Sequence, residues 1–459
     1  MIGRMLRPEI ASLVGARDFA TLRDVLQDWE AADIADLVGD LDDQDRAVVF
    51  RLLPHRLALA VFECLGADLQ QDLLKAMGRE EVAAILNEMA PDDRTALLEE
   101  LPGPVVKELL MRLTPEERNV AQKLLGYPEE SIGRKMTPDY IAVRASWTVQ
   151  QVLDHIRSRA ETAETLTYVY VVDDRGVLVD DIRINQVLVA PLDARMSALM
   201  NETFVSLSVS TDQETAAAEF KKYNREALPV VDSAGHLVGI VTADDMLDIA
   251  EEEATEDIQK FGGMEALEDP YLNVPLVGMI RKRAGWLVIL MVGEMLTASA
   301  MAAFEHEIAS AVVLALFVPL IISSGGNSGS QAATLVIRGL AVGEFSLREW
   351  WKVMRRELLT GAALGVILGS IGFARIWIWS AVTGDYGAHW VPLGATVGLS
   401  LMGVVLLGTI AGSMLPFVLK RLGADPAASS APFVATIVDV AGLLLYFSVA
   451  AAVLRGTLL

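Results

Sequence analysis

The chain has 459 residues, of which 53% are hydrophobic, yet its net charge is −23. Acidic residues are concentrated before residue 270 and apolar residues after residue 284, so a soluble acidic region precedes a membrane region. An acidic surface repels nucleic acid and anionic lipid and attracts cations, which excludes a nucleic-acid-binding protein.

The N-terminal residues 1–18 include three arginines and lack a sustained apolar core. We therefore predict no cleavable signal and expect the soluble region in the cytosol. The single cysteine, Cys64, excludes an internal disulfide and a cysteine-rich metal site. No nucleophile with a base, phosphate-binding loop or histidine-based metal site is recognisable, and no enzyme is predicted.

Residues 28–125 repeat with a period of about 24 residues, marked by LDDQDR at 41, LGADLQ at 65, MAPDDR at 89 and LTPEER at 113. Between these marks lie half-repeats such as LPHRL at 53 and MGREE at 77. Short turns followed by apolar helical patterns predict an N-terminal α-solenoid domain over residues 1–130, which presents a docking surface. Acidic turn residues such as Asp92 either cap helices or meet a cation shared with another acidic surface.

Residues 133–250 alternate strand and helix patterns, with TYVYVV at 167 and LPVV at 228. The two halves align at an offset of about 59 residues, which indicates a tandem duplication. With MTPDYIAV at 136 and LPVVDSAGHLVGIVTADDML at 228, this α/β region resembles a pair of CBS domains. CBS pairs often bind adenine nucleotides, which implies Thr242 and Asp245 near a ribose. The alternative is a dimerising, gating module that binds no nucleotide. In the first half Asp180 stands where the second half has Gly239, so the resemblance is poorer there.

An acidic, amphipathic connecting helix is predicted between the CBS pair and the membrane, assigned to residues 251–280. Its carboxylates begin within the preceding ADDML and recur at spacings of three and four, which places them on one helix face. They are Asp245, Asp248, Glu252 and Glu256, with Glu253 and Asp257 beside them. Oxygen-only clusters suit hard ions such as Mg²⁺ or Ca²⁺; the alternative is a solvated helix face.

Five transmembrane helices are predicted within residues 284–459, at 284–304, 308–337, 358–382, 391–419 and 432–454. Lysine and arginine flank the start of the first span, the connection between the second and third, and the end of the fourth. The connections after the first and third spans contain neither residue. The positive-inside rule therefore predicts a multi-pass cell-membrane protein with a cytosolic N-terminus and an external C-terminus.

Charged residues inside a membrane are costly and usually functional. Asp439 in the fifth span is the stronger candidate for a cation site, and Glu294 in the first span the weaker. In the second span, an interrupted helix with exposed carbonyls is predicted from Pro319, Gly325, Gly326 and Gly329. The interruption would bring Asn327, Ser328, Ser330 and Gln331 to membrane depth. The alternatives are a carboxyl group that only joins helices and small residues that permit close helix packing.

The order of these features, with GGNSGSQAATLVIRGLA and DPAASSAPFVATIVDVAGLLLYF, resembles the MgtE family of magnesium channels over nearly the whole chain. The resemblance implies a homodimer with a pore between subunits, lined by the second and fifth spans. It implies that Asp439 binds hydrated Mg²⁺ near Ala435 and Thr436, and that Asp425 attracts the ion on the cytosolic side. It also implies that cytosolic Mg²⁺ bridges acidic residues of the soluble domains and closes the pore.

Two other functions remain open from the residues alone. A proton- or sodium-coupled divalent cation transporter would use Asp439 or Glu294 to carry protons. A membrane-anchored sensor would read adenine nucleotides with the CBS pair and use the spans only as an anchor.

Overall fold

The computed structural model describes residues 9–10, 12–16, 18–267, 271, 274–384 and 386–455. The chain divides into two compact units, Met1–Glu251 and Glu252–Leu459. Three stretches discussed above lie outside the described residues: the start of the chain at 1–8, the end of the acidic connecting segment at 268–270, and the C-terminal residues 456–459.

The first unit begins with short helices that start every twelve residues, half of the predicted period. Their bounds are Phe19–Leu26, Ala31–Gly39, Asp43–Leu52, His55–Glu63, Ala67–Ala76, Arg79–Glu88, Pro91–Glu99, Gly103–Leu110 and Pro115–Leu125. The repeat therefore reaches further back than residue 28. Apolar residues of successive helices form one continuous core, as the predicted α-solenoid requires.

Two three-stranded sheets of the same topology follow in the first unit. Strands β1 (Ala142–Arg144), β2 (Tyr168–Val172) and β3 (Leu178–Arg183) form one; β4 (Leu207–Ser208), β5 (Ala227–Val231) and β6 (Leu237–Thr242) form the other. In each sheet the first pair is parallel and the second antiparallel. Both antiparallel pairs shift register in the middle strand, at Val171/Val172 and at Val230/Val231. The shifts are 59 residues apart, in agreement with the predicted duplication.

The helices of this α/β pair are Ile132–Lys135, Val149–Arg159, Ile184–Val189 and Gln213–Tyr223. Asp180 has a structural role that explains its departure from Gly239. Its fully buried carboxylate accepts backbone N–H bonds from Asp181, Asn201 and Glu202 at 2.9, 2.7 and 3.0 Å. A Cβ at Gly239 would instead lie 2.7 Å from the sulfur of Met136. The two halves thus use different residues to support equivalent strands.

The connecting helix runs from Ala243 to Phe261, so it begins before the predicted segment at 251. In the second unit, five helices among the described residues are long and apolar enough to cross a membrane: Leu276–Ala303, Val312–Ala341, Leu347–Thr383, Gly387–Arg421 and Ala431–Leu454. They are called the first to fifth spans. A short helix, Glu305–Ser310, precedes the second span, which starts with a 3₁₀ turn at Val312–Phe317.

The prediction of an interrupted second span is wrong. Val318–Ala341 is one continuous α-helix with Pro319 in its first turn, where a missing N–H costs nothing, so its glycines do not expose carbonyls as free ligands. They allow close packing against the fourth span. A Cβ added at Gly408 would lie 2.3 Å from the Gly325 carbonyl oxygen, and one at Gly412 would lie 2.0 Å from that of Gly329.

We predict that Gly412→Ala destabilises the membrane unit by about 1–3 kcal/mol, because the obstructing atom is backbone that cannot rotate away. The matched control is Gly285→Ala in the first span, where an added Cβ has Glu265 Oε1 at 3.9 Å as its nearest neighbour. Thermal unfolding of the detergent-solubilised chain should show a lower midpoint for Gly412→Ala alone. Equal midpoints for the two variants would contradict the packing argument.

Candidate cation sites

Asp439 lies on the fifth span, about two and a half turns after the N-cap residue Ser430. It faces Gly326 of the second span: a Cβ added there would lie 3.3 Å from Ala435 Cβ and 3.9 Å from Asp439 Oδ1. Glu294 of the first span lies close enough to Asp439 for the two carboxyl groups to interact. The structure therefore brings both intramembrane carboxyl groups together with Gly326 and Ala435.

The other residues predicted near Asp439 have hydrogen bonds of their own. Thr436 Oγ1 donates to the Pro432 carbonyl at 3.0 Å, and Ser330 Oγ donates to the Ala431 carbonyl at 3.3 Å, which joins the second and fifth spans. Asn327 is exposed, and its Nδ2 donates to Ser323 Oγ at 3.4 Å.

Asp425 precedes the fifth span and caps the 3₁₀ turn Pro426–Ala428, where its Oδ1 accepts the Ala427 N–H at 2.8 Å. Its Oδ2 accepts from Lys260 Nζ of the connecting helix at 2.7 Å. The same ammonium forms an ion pair with Glu256. Burial, followed by the charges of Asp425 and Glu253, raises the pKa of the neighbouring Asp257 to about 6.

A separate acidic cluster lies in the first unit, where the solenoid and the α/β pair contribute carboxylates from distant parts of the sequence. Its members are Glu63, Asp92, Asp93, Asp139, Glu164, Asp244 and Asp245. Asp92 is 8% exposed, and its Oδ1 has no hydrogen-bond partner. The N-cap of its helix is Ala90, so Asp92 does not take the predicted capping position.

Burial and mutual repulsion raise pKa values throughout the acidic cluster. Burial, then the charges of Asp245, Asp93 and Glu164, raises the pKa of Asp92 well above its ordinary value. Burial and, to a smaller extent, the charges of Glu63 and Asp245 raise the pKa of Asp93 to about 7. Burial and the charge of Asp245 likewise raise the pKa of Glu164 to about 7. Each carboxylate thus opposes ionisation of the others, which a bound cation would relieve.

The predicted acidic stripe does not form a single site. Asp245 belongs to the acidic cluster, and its Oδ2 accepts from Thr242 Oγ1 at 2.5 Å. Burial and the charges of Asp244 and Glu251 raise the pKa of Asp248. Farther along the helix, Glu256 and Asp257 surround Lys260 instead. Sequence spacing placed these carboxylates on one face but could not show that their neighbours differ.

Lys260 was not predicted from the sequence, and neither were four members of the acidic cluster, Glu63, Asp139, Glu164 and Asp244. The four-residue spacing of Glu256 and Lys260 was a usable signal for an ion pair. Among the described residues, no three or more histidine, cysteine, aspartate or glutamate side chains are spaced to hold one metal ion directly. The buried, unpartnered Asp92 oxygen and the all-oxygen donor set nevertheless fit a hydrated Mg²⁺, which keeps most of its water ligands.

The fold and these carboxylates are typical of a membrane transporter of cations that carries a large acidic region outside its membrane spans. Family models support this class: the MgtE divalent cation transporter model matches residues 318–449, the MgtE intracellular N domain model residues 29–130, and the CBS domain model residues 196–252. The chain belongs to the MgtE family.

Relatives cover nearly all of the chain. The magnesium transporter MgtE of Thermus thermophilus is 38% identical over 96% of both chains. That of Enterococcus faecalis is 32% identical over 74% of this chain and 73% of its own. A crystal structure of the cytosolic domain of the Mg²⁺ channel MgtE in complex with ATP is 35% identical, with a TM-score of 0.51, and covers 53% of this chain and 100% of that chain. The predicted multidomain architecture is therefore confirmed.

We predict that Asp93→Asn stabilises the first unit above pH 7 and has little effect near pH 4. Because the folded-state pKa of Asp93 is raised, the carboxyl contributes stability below about pH 4 that is lost as pH rises through about 7. The substituted amide stays neutral at every pH, so this stability is not lost. Each kcal/mol of unfolding free energy that is retained raises the melting temperature by about 2–4 °C.

Thermal unfolding of the full chain between pH 4 and pH 8, in a chelator, measures this effect. Glu116→Gln, which removes an exposed carboxylate, serves as the control. A stabilisation by Asp93→Asn that is the same at both ends of the pH range would disprove the electrostatic cause.

Proposed function

We propose that this protein is a Mg²⁺ channel for magnesium uptake, and that cytosolic Mg²⁺ bound by the acidic cluster closes it. The observation that carries the proposal is the position of Asp439 beside Gly326, Ala435 and Glu294 at membrane depth. A carboxyl group there needs a wet path or a partner, because hydrocarbon cannot solvate it. The transport of magnesium by the relatives supports Mg²⁺ as the cargo.

Two copies of the chain complete the pore in this proposal. Glu294 and Asn327 are exposed on the single chain, and only 6% of the most apolar part of the first span is buried. Exposed polar side chains at this depth are stable against a second subunit or water, and not against lipid. A homodimer would place two Asp439 side chains along one axis. Hydrated Mg²⁺ suits such a path, because it gives up its water ligands reluctantly.

The acidic cluster supplies the gate. Without a cation, its repelling carboxylates favour separation of the solenoid from the α/β pair, and a hydrated Mg²⁺ between them favours their association. Asp92 and Asp93 lie on the solenoid, whereas Asp245 lies at the start of the connecting helix that continues towards the membrane. Binding of a cation to the acidic cluster is thereby linked to the connecting helix. Asp425 attracts cations on the cytosolic side, and the C-terminus lies outside the cell.

A nucleotide at the CBS pair is a second ligand that we propose, because the related cytosolic domain was crystallised with ATP. Thr242 and Asp245, the residues predicted near the ribose, share a hydrogen bond at the end of β6. Because Asp245 also belongs to the acidic cluster, nucleotide binding would be coupled to the binding of Mg²⁺.

We predict that Asp439→Ala lowers Mg²⁺ entry into proteoliposomes at least about tenfold, because the pore loses its carboxylate. An indicator dye sensitive to Mg²⁺ reports entry under a membrane potential, without a proton or sodium gradient. Glu357→Ala, which changes a carboxylate of the third span, should conduct like the wild type. Normal conduction by Asp439→Ala would remove Asp439 from the pore, and flux only under an imposed gradient would favour the coupled transporter.

We predict that neutralising the acidic cluster makes the channel less sensitive to closure. Asp93→Asn with Asp245→Asn should raise, by about tenfold, the internal Mg²⁺ concentration that halves the flux, because the bridging ion loses two charged partners. Deleting residues 1–270 should leave a channel that internal Mg²⁺ does not close. Glu116→Gln should close as the wild type does. Unchanged closure in the double variant would refute the gate at this cluster.

A further inference from the structure

The end of the connecting helix is firmly attached within the second unit. The helix ends at Phe261, and Gly263, with φ +76°, turns the chain beside Trp286 of the first span. A Cβ on Gly263 would lie 2.7 Å from the Trp286 ring. Trp286 Nε1 donates in turn to Ser430 Oγ, at the start of the fifth span, at 3.0 Å. These contacts fix the position of Lys260, the penultimate residue of the helix.

Lys260 occupies the position between two carboxylates that come from different elements. Its Nζ lies 2.7 Å from Asp425 Oδ2 and is also paired with Glu256 of its own helix. The three side chains are each about one-third exposed, so ions from solution can reach them. Although burial lowers it, hydrogen bonds to Asp425 and Glu256 raise the pKa of Lys260, which stays charged at neutral pH.

The Lys260 ammonium offsets the negative charge of the carboxylates near Asp425. Burial and the charges of Asp425, Glu253 and Glu256 raise the pKa of Asp257, whereas the charge of Lys260 lowers it. A divalent cation at Asp425 would have to take the place of the ammonium, or share the carboxylate with it against charge repulsion. The lysine is covalently attached, so its local concentration does not fall when salt is diluted.

We propose that Lys260 is a tethered counter-cation that competes with divalent cations for Asp425, and that a Mg²⁺ ion reaching Asp425 displaces it. This inference rests on the proposed function for its consequence, namely that displacement breaks the ion pair between the connecting helix and the loop before the fifth span while Mg²⁺ passes. The competition itself is a property of the site and requires no transport. Lys260 is in this view a positioning residue that sets the Mg²⁺ concentration at which Asp425 becomes occupied.

Zero-length coupling with a carbodiimide tests the competition directly, since it joins an amine only to a carboxylate that it contacts. In the full chain in detergent with chelator, peptide mass spectrometry should find Lys260 coupled to Asp425 or Glu256. Mg²⁺ should suppress this product at concentrations where matched NaCl does not. The exposed pair Lys75 and Asp72, whose atoms lie 2.9 Å apart, is the internal control and should respond to ionic strength alone. A yield of Lys260 coupling that Mg²⁺ does not change would overturn the proposal.

Flux measurements test the consequence. Lys260→Gln should lower the half-maximal Mg²⁺ concentration for entry about two- to fivefold, the range expected for losing a partly exposed ion pair. Lys260→Arg should restore the wild-type value, and Lys352→Gln, which breaks an exposed pair with Glu349, should not change it. In an Asp425→Asn background the effect of Lys260→Gln should disappear; a shift that persists there, or that Lys260→Arg fails to reverse, would show that the lysine acts only on structure.

The two assays separate failure of this inference from failure of the proposed function. Coupling that Mg²⁺ suppresses in a protein without flux would retain the competition and reject the channel. Flux with Mg²⁺-independent coupling would retain the channel and reject the competition.

Discussion

The rest of the structure depends on repulsion between neighbouring carboxylates, many of which are partly removed from bulk water. It acts at three places: among the seven residues of the acidic cluster, around Asp425, and between Asp439 and Glu294. In water these charges would interact weakly, but partial burial strengthens each interaction. Cations reduce this repulsion, and the chain itself supplies one of them, the Lys260 ammonium beside Asp425. The cost of leaving these sites without a cation supports the proposal that they bind Mg²⁺.

Close packing of the membrane helices provides the rigid frame for the carboxyl groups. Backbone contacts at Gly325 with Gly408 and at Gly329 with Gly412 hold the second span against the fourth, with a bond between Ser328 and Thr409 hydroxyls at 2.7 Å. The same helix presents Gly326 towards Asp439. Because the two sets of glycines lie on different faces of one helix, packing and the candidate pore surface do not compete for the same residues.

Periodic and local features were predictable from sequence, and long-range neighbours were not. The solenoid repeat, the duplicated strands and the five spans all follow from apolar spacing and charge, which act over a few residues. Gly325 and Gly329 were misread as helix breaks, because their partners lie some 80 residues later. The same limit hid the acidic cluster, since Glu63, Asp92, Glu164 and Asp245 meet only after folding. Glu294 was ranked low for lack of a motif, and its contact with Asp439 is a matter of three-dimensional position.

The twelve-residue interval between helix starts bears on how the soluble region can evolve. In-frame duplication or loss of one interval adds or removes a whole helix with its turn, and two intervals preserve which face each helix presents. The helices before His55 could change in number in this way, while Glu63, Asp92 and Asp93 keep their places in the acidic cluster with Asp245. The length of the solenoid and the chemistry of its contact with the α/β pair are thus separately heritable traits.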